Sequence, residues 1–183
     1  MRKAKKFIPI ANPSIGEAEA QKVYSVVKRG WISMGSGVLD LEKKIKKYLK
    51  IKHAILFNNG TSALHAALAS LDIKPGDEVI VPTLSYISSA NVILYCGAKP
   101  VFCDSNPKTF NVTSKEIIKK ITRKTKAIIT VDLKGQPVDY DEIHSKLKKF
   151  KIPIISDSAE SFGAEYKNKK VGSQFLIHSF SFF

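Results

Sequence analysis

The chain is 183 residues long and 44% apolar, enough for one good-sized core, and its 30 Lys and Arg against 16 Asp and Glu give a formal charge of +14. Nearly all the basic residues are lysines, spread between Leu, Ile, Tyr and Phe as on the wet faces of amphipathic helices; this argues against a nucleic-acid reader, which clusters arginine, and leaves an attraction for small anions, phosphates included. Cys96 and Cys103 suit neither a zinc site nor a redox pair, no apolar run reaches the roughly 18 residues of a membrane span, and the basic head lacks the apolar stretch of a signal peptide, so a reduced, cytoplasmic setting is expected.

Residues 7–12 (FIPIAN) read as a short apolar segment. Pro13 and Ser14 then open a helix over 16–28, with Ala18, Val23, Val26 and Val27 on its apolar side and Gly30 ending it. The loop 30–37 (GWISMGSG) surrounds Trp31 with small residues and reads as a linker or a ligand-side loop. A helix over 39–49 follows. Residues 53–59 (HAILFNN) read as a buried strand running into Gly60, Thr61 and Ser62, and then into a helix over 63–71. Strand, small-residue turn and helix start together make an anion site, because free N–H groups and the helix dipole point the same way. The loop lacks a Walker lysine and the three glycines of a dinucleotide fingerprint, so it suits a single phosphate; an ordinary capped helix is the alternative.

A turn at 75–77 leads to a strand over 78–82 (EVIVP), whose exit carries Tyr86 among Ser85, Ser88, Ser89 and Ala90. That ring can stack on a flat ligand or fill the core. Helix 88–95, strand 99–104, helix 114–121, strand 127–131 and helix 139–150 come next. The segment 152–156 (IPIIS) reads as a strand buried on both faces, with Asp157 at its exit, where open α/β sheets place functional carboxylates. Small neighbours leave room there for something flat; otherwise Asp157 caps a helix starting at Ser158. Residues 164–171 read as a hairpin-like connection, and a last strand holds Ser181 between aromatics. Strands and helices alternate about five times, which calls for an α/β fold with a mostly parallel, helix-covered sheet.

The phrases IPIANPSIGEAE, GWISMGSGVLDLEKKI, NNGTSALHAAL, PGDEVIVPTLSYISSANVI, GAKPVFCDSNPKTFNV, KTKAI, GQPVDYDEI, SDSAESFGAEYKNKKVGS and FSFF run almost end to end. In that order they resemble the N-terminal half of a sugar aminotransferase of the DegT/DnrJ/EryC1/StrS family, a branch of the fold-type I enzymes that use pyridoxal phosphate. The resemblance implies a three-layer αβα large domain with a mostly parallel, mixed sheet over 39–183, cut short before a small C-terminal domain, and an N-terminal segment and active-site-mouth loop over 1–38. It implies that Asp157 binds the pyridine nitrogen, Tyr86 stacks on the ring, and Gly60, Thr61, Ser62 and Ser181 hold the phosphate. Glu160 would lie near the ring's 3-hydroxyl, and Trp31 and Ser33 would face substrate.

By the same resemblance the enzyme is a homodimer. It moves an amino group from an amino acid, glutamate above all, to a nucleotide-linked keto sugar destined for surface polysaccharides such as lipopolysaccharide O-chains. The family's Schiff-base lysine would fall about two residues beyond Phe183, so the chain by itself is expected not to transaminate. A second departure is VDLKG at 131–135 where relatives often carry VHLYG. A dehydratase relative of the same fold, a non-catalytic binding remnant and a basic DNA-binding protein are the other readings.

Overall fold

The computed structural model describes Pro9 and residues 12–182. Most of the apolar stretch 7–12, and Phe183, lie outside the described residues. Two compact units divide at Leu41 and Glu42.

In the first unit, α1 (Glu17–Lys28) starts at Gly16, whose N–H donates to Glu19 Oε2 at 2.8 Å. The apolar side expected for this helix is not covered: α1 has no buried residue, and Val23 and Val27 are exposed. After it, the Trp31 indole N–H donates to the Met34 carbonyl at 2.9 Å. Gly35 allows this wrap, since a Cβ there would stand 2.9 Å from Trp31 Nε1. Helix α2 (Ser36–Leu49) begins three residues earlier than 39 and crosses the boundary, and its buried residues, Ile45 and Leu49, belong to the second unit.

The second unit carries α3 (Gly60–Ser70), β1 (Glu78–Pro82), α4 (Ser88–Tyr95), β2 (Lys99–Cys103), α5 (Ser114–Ile118), β3 (Thr125–Val131), α6 (Tyr140–Leu147), β4 (Ile154–Asp157), β5 (Glu165–Tyr166), β6 (Lys169–Lys170) and β7 (Ile177–Ser179). Five strands form one sheet in the order β2-β1-β3-β4-β7, all neighbours parallel. The short β5–β6 hairpin turns through Lys167 and Asn168, whose φ values of 49° and 63° match the two positive-φ positions of a type I′ turn.

Side chains alternate across the sheet with the two-residue period of a strand. Val79, Val81, Ala127, Ile129 and Ile155 meet Leu64 and Leu68 of α3 and Val92 and Ile93 of α4. Ile80, Ile128 and Ile154 face the other way, onto Ile117 of α5 and Ile143 and Leu147 of α6. Helices therefore cover both faces, which gives the three-layer αβα arrangement. Each fully buried Ile or Val contributes roughly 1.5–3 kcal/mol of apolar burial, so the middle of the sheet is the firmest part of the unit.

Three expectations need correction. Residues 53–59 are extended but form no strand: among the described residues they pair with no ladder, Ile55 is 72% exposed, and the Leu56 N–H donates to the Glu42 carboxylate instead. An apolar pattern fits a strand only where a neighbour supplies backbone partners. The last strand is shorter than expected, so Ser181 follows β7 rather than lying in it. No helix follows Asp157, which is itself the last residue of β4, so it is not a helix cap.

Candidate active site

The exits of β1, β3, β4 and β7 open at the carboxyl edge of the parallel sheet, with the order reversing between β1 and β3, the place where such sheets bind ligands. Asp157 ends β4 and is 5% exposed. Its Oδ2 accepts a 2.6 Å hydrogen bond from Ser89 Oγ, and its Oδ1 accepts the Ala159 N–H at 3.3 Å. Ser89 Oγ is also 2.6 Å from Ser85 Oγ; since Ser89 gives its proton to the carboxylate, Ser85 donates to Ser89.

Burial pushes the Asp157 carboxyl above its ordinary range, Ser89 and Ala159 pull it down, and the carboxylates of Asp132 and Glu160 add to the rise. Among the described residues no lysine or arginine forms an ion pair with it. A buried acid so placed suits a cationic N–H partner, because each charge then favours the other.

The anion cradle is reached from the same serines. Asn59 caps α3, its side chain accepting the Ser62 N–H at 2.8 Å, so Gly60, Thr61 and Ser62 form the first helical turn instead of a separate loop. The Ser62 N–H is thereby engaged, and the N–H groups of Gly60 and Thr61 are the ones without an acceptor inside the helix. Thr61 Oγ1 lies 2.7 Å from Ser88 Oγ, the residue beside Ser89 at the start of α4. A Cβ at Gly60 would stand 3.3 Å from Ser181 Cβ, which puts the segment after β7 directly against the start of α3.

Tyr86 is 76% exposed, so its ring is not spent in the core, and its carbonyl accepts the Ser89 N–H at 3.1 Å. Glu160 lies in the turn after Asp157, where its Oε2 accepts the Lys134 N–H at 2.6 Å. Gly60 touches Ser181, Thr61 touches Ser88, and Ser89 joins the Tyr86 backbone to the Asp157 carboxylate, while Glu160 faces Lys134 and acts on Asp157 through its charge. Trp31 and Ser33 belong to the first unit, where Trp31 is exposed.

An apolar groove of about 730 Å³ runs between 50–60 and 172–182; it shares Gly60 and Ser181 with the cradle but does not include Asp157 or Tyr86. Reading the sequence missed Asn59 as the cap and Ser88 and Ser89 as partners of Thr61 and Asp157. The run of serines after EVIVP was the available signal, since small hydroxyls packed at a strand exit need acceptors.

The model of the DegT/DnrJ/EryC1/StrS aminotransferase family matches residues 13–183. The chain belongs to that family. GDP-perosamine synthase of Caulobacter vibrioides is 45% identical over 177 residues, covering 96% of this chain and 48% of that protein. The PLP-form of Spr1654 from Streptococcus pneumoniae superposes with a TM-score of 0.92 at 36% identity, covering 96% of this chain and 49% of the other. GDP-4-keto-6-deoxymannose-3-dehydratase (ColD), as an H188N mutant with bound GDP-perosamine, superposes with a TM-score of 0.89 at 30% identity, covering 96% and 47%. The DegT/DnrJ/EryC1/StrS chain therefore spans about half the length of the curated relatives it matches, and the cofactor of its family is pyridoxal phosphate.

The residues present fit that group: a buried carboxylate with no cationic partner among the described residues, an exposed tyrosine three positions before the serine that binds it, and a helix start with hydroxyls and a close-packed glycine.

Proposed function

We propose that the chain is the cofactor-binding part of a sugar-nucleotide aminotransferase that moves an amino group from an amino acid, glutamate, to a GDP-linked keto sugar for surface polysaccharides. The observation that carries this reading is the buried Asp157–Ser89 pair, joined through the start of α4 to Thr61. GDP as the nucleotide is supported by the curated relatives called GDP-perosamine synthase.

In this reading Asp157 holds the pyridinium N–H, and Ser89 holds Asp157 in place. Gly60, Thr61 and Ser181 receive the phosphate with N–H and O–H donors, Ser62 orients the turn through its bond to Asn59, and Tyr86 covers one face of the ring. Glu160 approaches the ring's hydroxyl, and Trp31 and Ser33 are substrate-binding residues. Bound pyridoxal phosphate supplies the electron sink for charge that develops on the substrate carbon. What Asp157 adds is a fixed negative charge that keeps the nitrogen protonated throughout. The enzyme works as a homodimer in the cytoplasm.

Incubating the full-length protein with glutamate and a GDP-linked keto-deoxy sugar tests this directly. Formation of 2-oxoglutarate and a GDP-amino sugar in equal amounts supports it; loss of sugar oxygen without nitrogen transfer supports the second reading, a dehydratase, which the similarity to ColD favours.

A further inference from the structure

Behind the cofactor-facing turn lies a second carboxylate, Asp132, at the exit of β3 and 1% exposed. Its Oδ2 accepts hydroxyl protons from Tyr140 at 2.6 Å, Ser158 at 2.7 Å, and Ser156 and Ser161 each at 3.1 Å, while Oδ1 accepts the Val138 N–H at 3.1 Å. Three of the four hydroxyls belong to the segment that contains Asp157 and Glu160. The main chain repeats the link, the Asp132 N–H donating to the Asp157 carbonyl at 3.0 Å.

A further bond closes the same seam from the opposite side, where Glu160 Oε2 accepts the Lys134 N–H. Gly135 lets the two turns draw together there, since a Cβ on it would lie 3.0 Å from the Glu160 carbonyl oxygen.

The network also reaches β7. The Phe175 N–H donates to His178 Nε2 at 3.1 Å, so that nitrogen is an acceptor and the ring proton sits on Nδ1. Nδ1–H then donates to Ser158 Oγ at 3.0 Å, and Ser158 passes its own proton to Asp132. We propose that Asp132 is a positioning residue: through Ser156, Ser158 and Ser161 it clasps the 157–161 turn, and through Ser158 and His178 it locks that turn to the strand leading to Ser181. The clasp sets the aim of Asp157 and the place of Ser181 without touching the cofactor, so its role in catalysis rests on the function proposed above. Buried hydroxyls sharing one carboxylate behave as a unit, and loss of the acceptor strands all of them at once.

Asp132→Asn, Ser158→Ala and Tyr140→Phe in the full-length protein separate this role from general core packing. Tyr140→Phe removes a donor from α6 but leaves every link to the turn. With the cofactor absent, hydrogen exchange of the 156–164 segment should speed up about tenfold or more in Asp132→Asn and Ser158→Ala, and the dissociation constant for added pyridoxal phosphate should rise by about tenfold. Tyr140→Phe should lower the melting temperature and leave both quantities within about twofold of the parent. Parent-like exchange at 156–164 in Asp132→Asn and Ser158→Ala overturns the proposal, as does a Tyr140→Phe protein that matches them in both readouts. If Asp132→Asn fails to fold, Ser158→Ala decides alone. A parent protein that takes up no pyridoxal phosphate removes the proposed function, while the exchange measurement still judges the clasp.

Discussion

Acidification should weaken the fold through His178, and a His178 variant separates its share from that of the carboxylates. Burial among Tyr140, Phe175 and Phe180 pulls its imidazole down to about 4 from an ordinary 6.5, the Asp132 carboxylate opposing this only in part. The folded state therefore binds fewer protons than the unfolded one between those two values, and stability present above pH 6.5 is lost as pH falls toward 4. At about 1.4 kcal/mol per unit the whole effect has a ceiling of about 3 kcal/mol, and from pH 7 to 4.5 it amounts to about 2 kcal/mol. Urea unfolding followed by circular dichroism measures it. Tryptophan fluorescence does not report on this unit, because Trp31 lies in the other one. His178→Asn should start less stable at pH 7 and then lose about 2 kcal/mol less than the parent on acidification to pH 4.5. Parallel stability curves for the two proteins, or an imidazole that titrates near 6.5 by nuclear magnetic resonance, would refute the assigned burial and tautomer.

The Asp157 carboxylate and the cradle give further expectations. Ser89→Ala removes the hydrogen bond to the Asp157 carboxylate; charged acceptors lose about 1.5–3 kcal/mol in this way, so uptake of pyridoxal phosphate by the full-length protein should weaken by about tenfold or more in an absorbance titration. Tyr86→Ala should change urea stability by less than about 0.5 kcal/mol, because the ring is exposed, yet reduce cofactor affinity; equal affinity would remove the stacking role. Gly60→Ala places a methyl 3.3 Å from Ser181 Cβ, and overpacking of about 1–3 kcal/mol should appear as weaker binding of inorganic phosphate by isothermal titration.

How much of this was legible without coordinates depends on whether a feature is local. EVIVP and the segment before Asp157 announce themselves, because strands buried on both faces must be apolar throughout, and the structure buries every residue of β1 and β4. The carboxylate at the end of β4 follows from the same pattern. Residues 53–59 carry a similar pattern, but a strand needs a partner and the pattern names none; the burial there alternates, with Ile55 and Phe57 exposed. The start of α3 moved forward to Gly60 because Asn59 is the better cap, a choice settled by its bond to Ser62. The Asp132 network was out of reach: Tyr140 lies on α6 and Ser156, Ser158 and Ser161 at the end of β4 and just after it, and only the folded sheet brings their hydroxyls to one oxygen. In the sequence Asp132 stood out only as a departure from a neighbouring motif.

The central claim is that Asp157 meets the protonated ring nitrogen of pyridoxal phosphate at the exit of β4. Titrating pyridoxal phosphate into the full-length protein and its Asp157→Ala variant, with visible absorbance as the signal, tests it most directly. The parent should bind saturably and the variant with an affinity reduced by about a hundredfold, the loss expected when one partner of a buried charge pair is removed. Equal affinity and an unchanged spectrum in Asp157→Ala would contradict it.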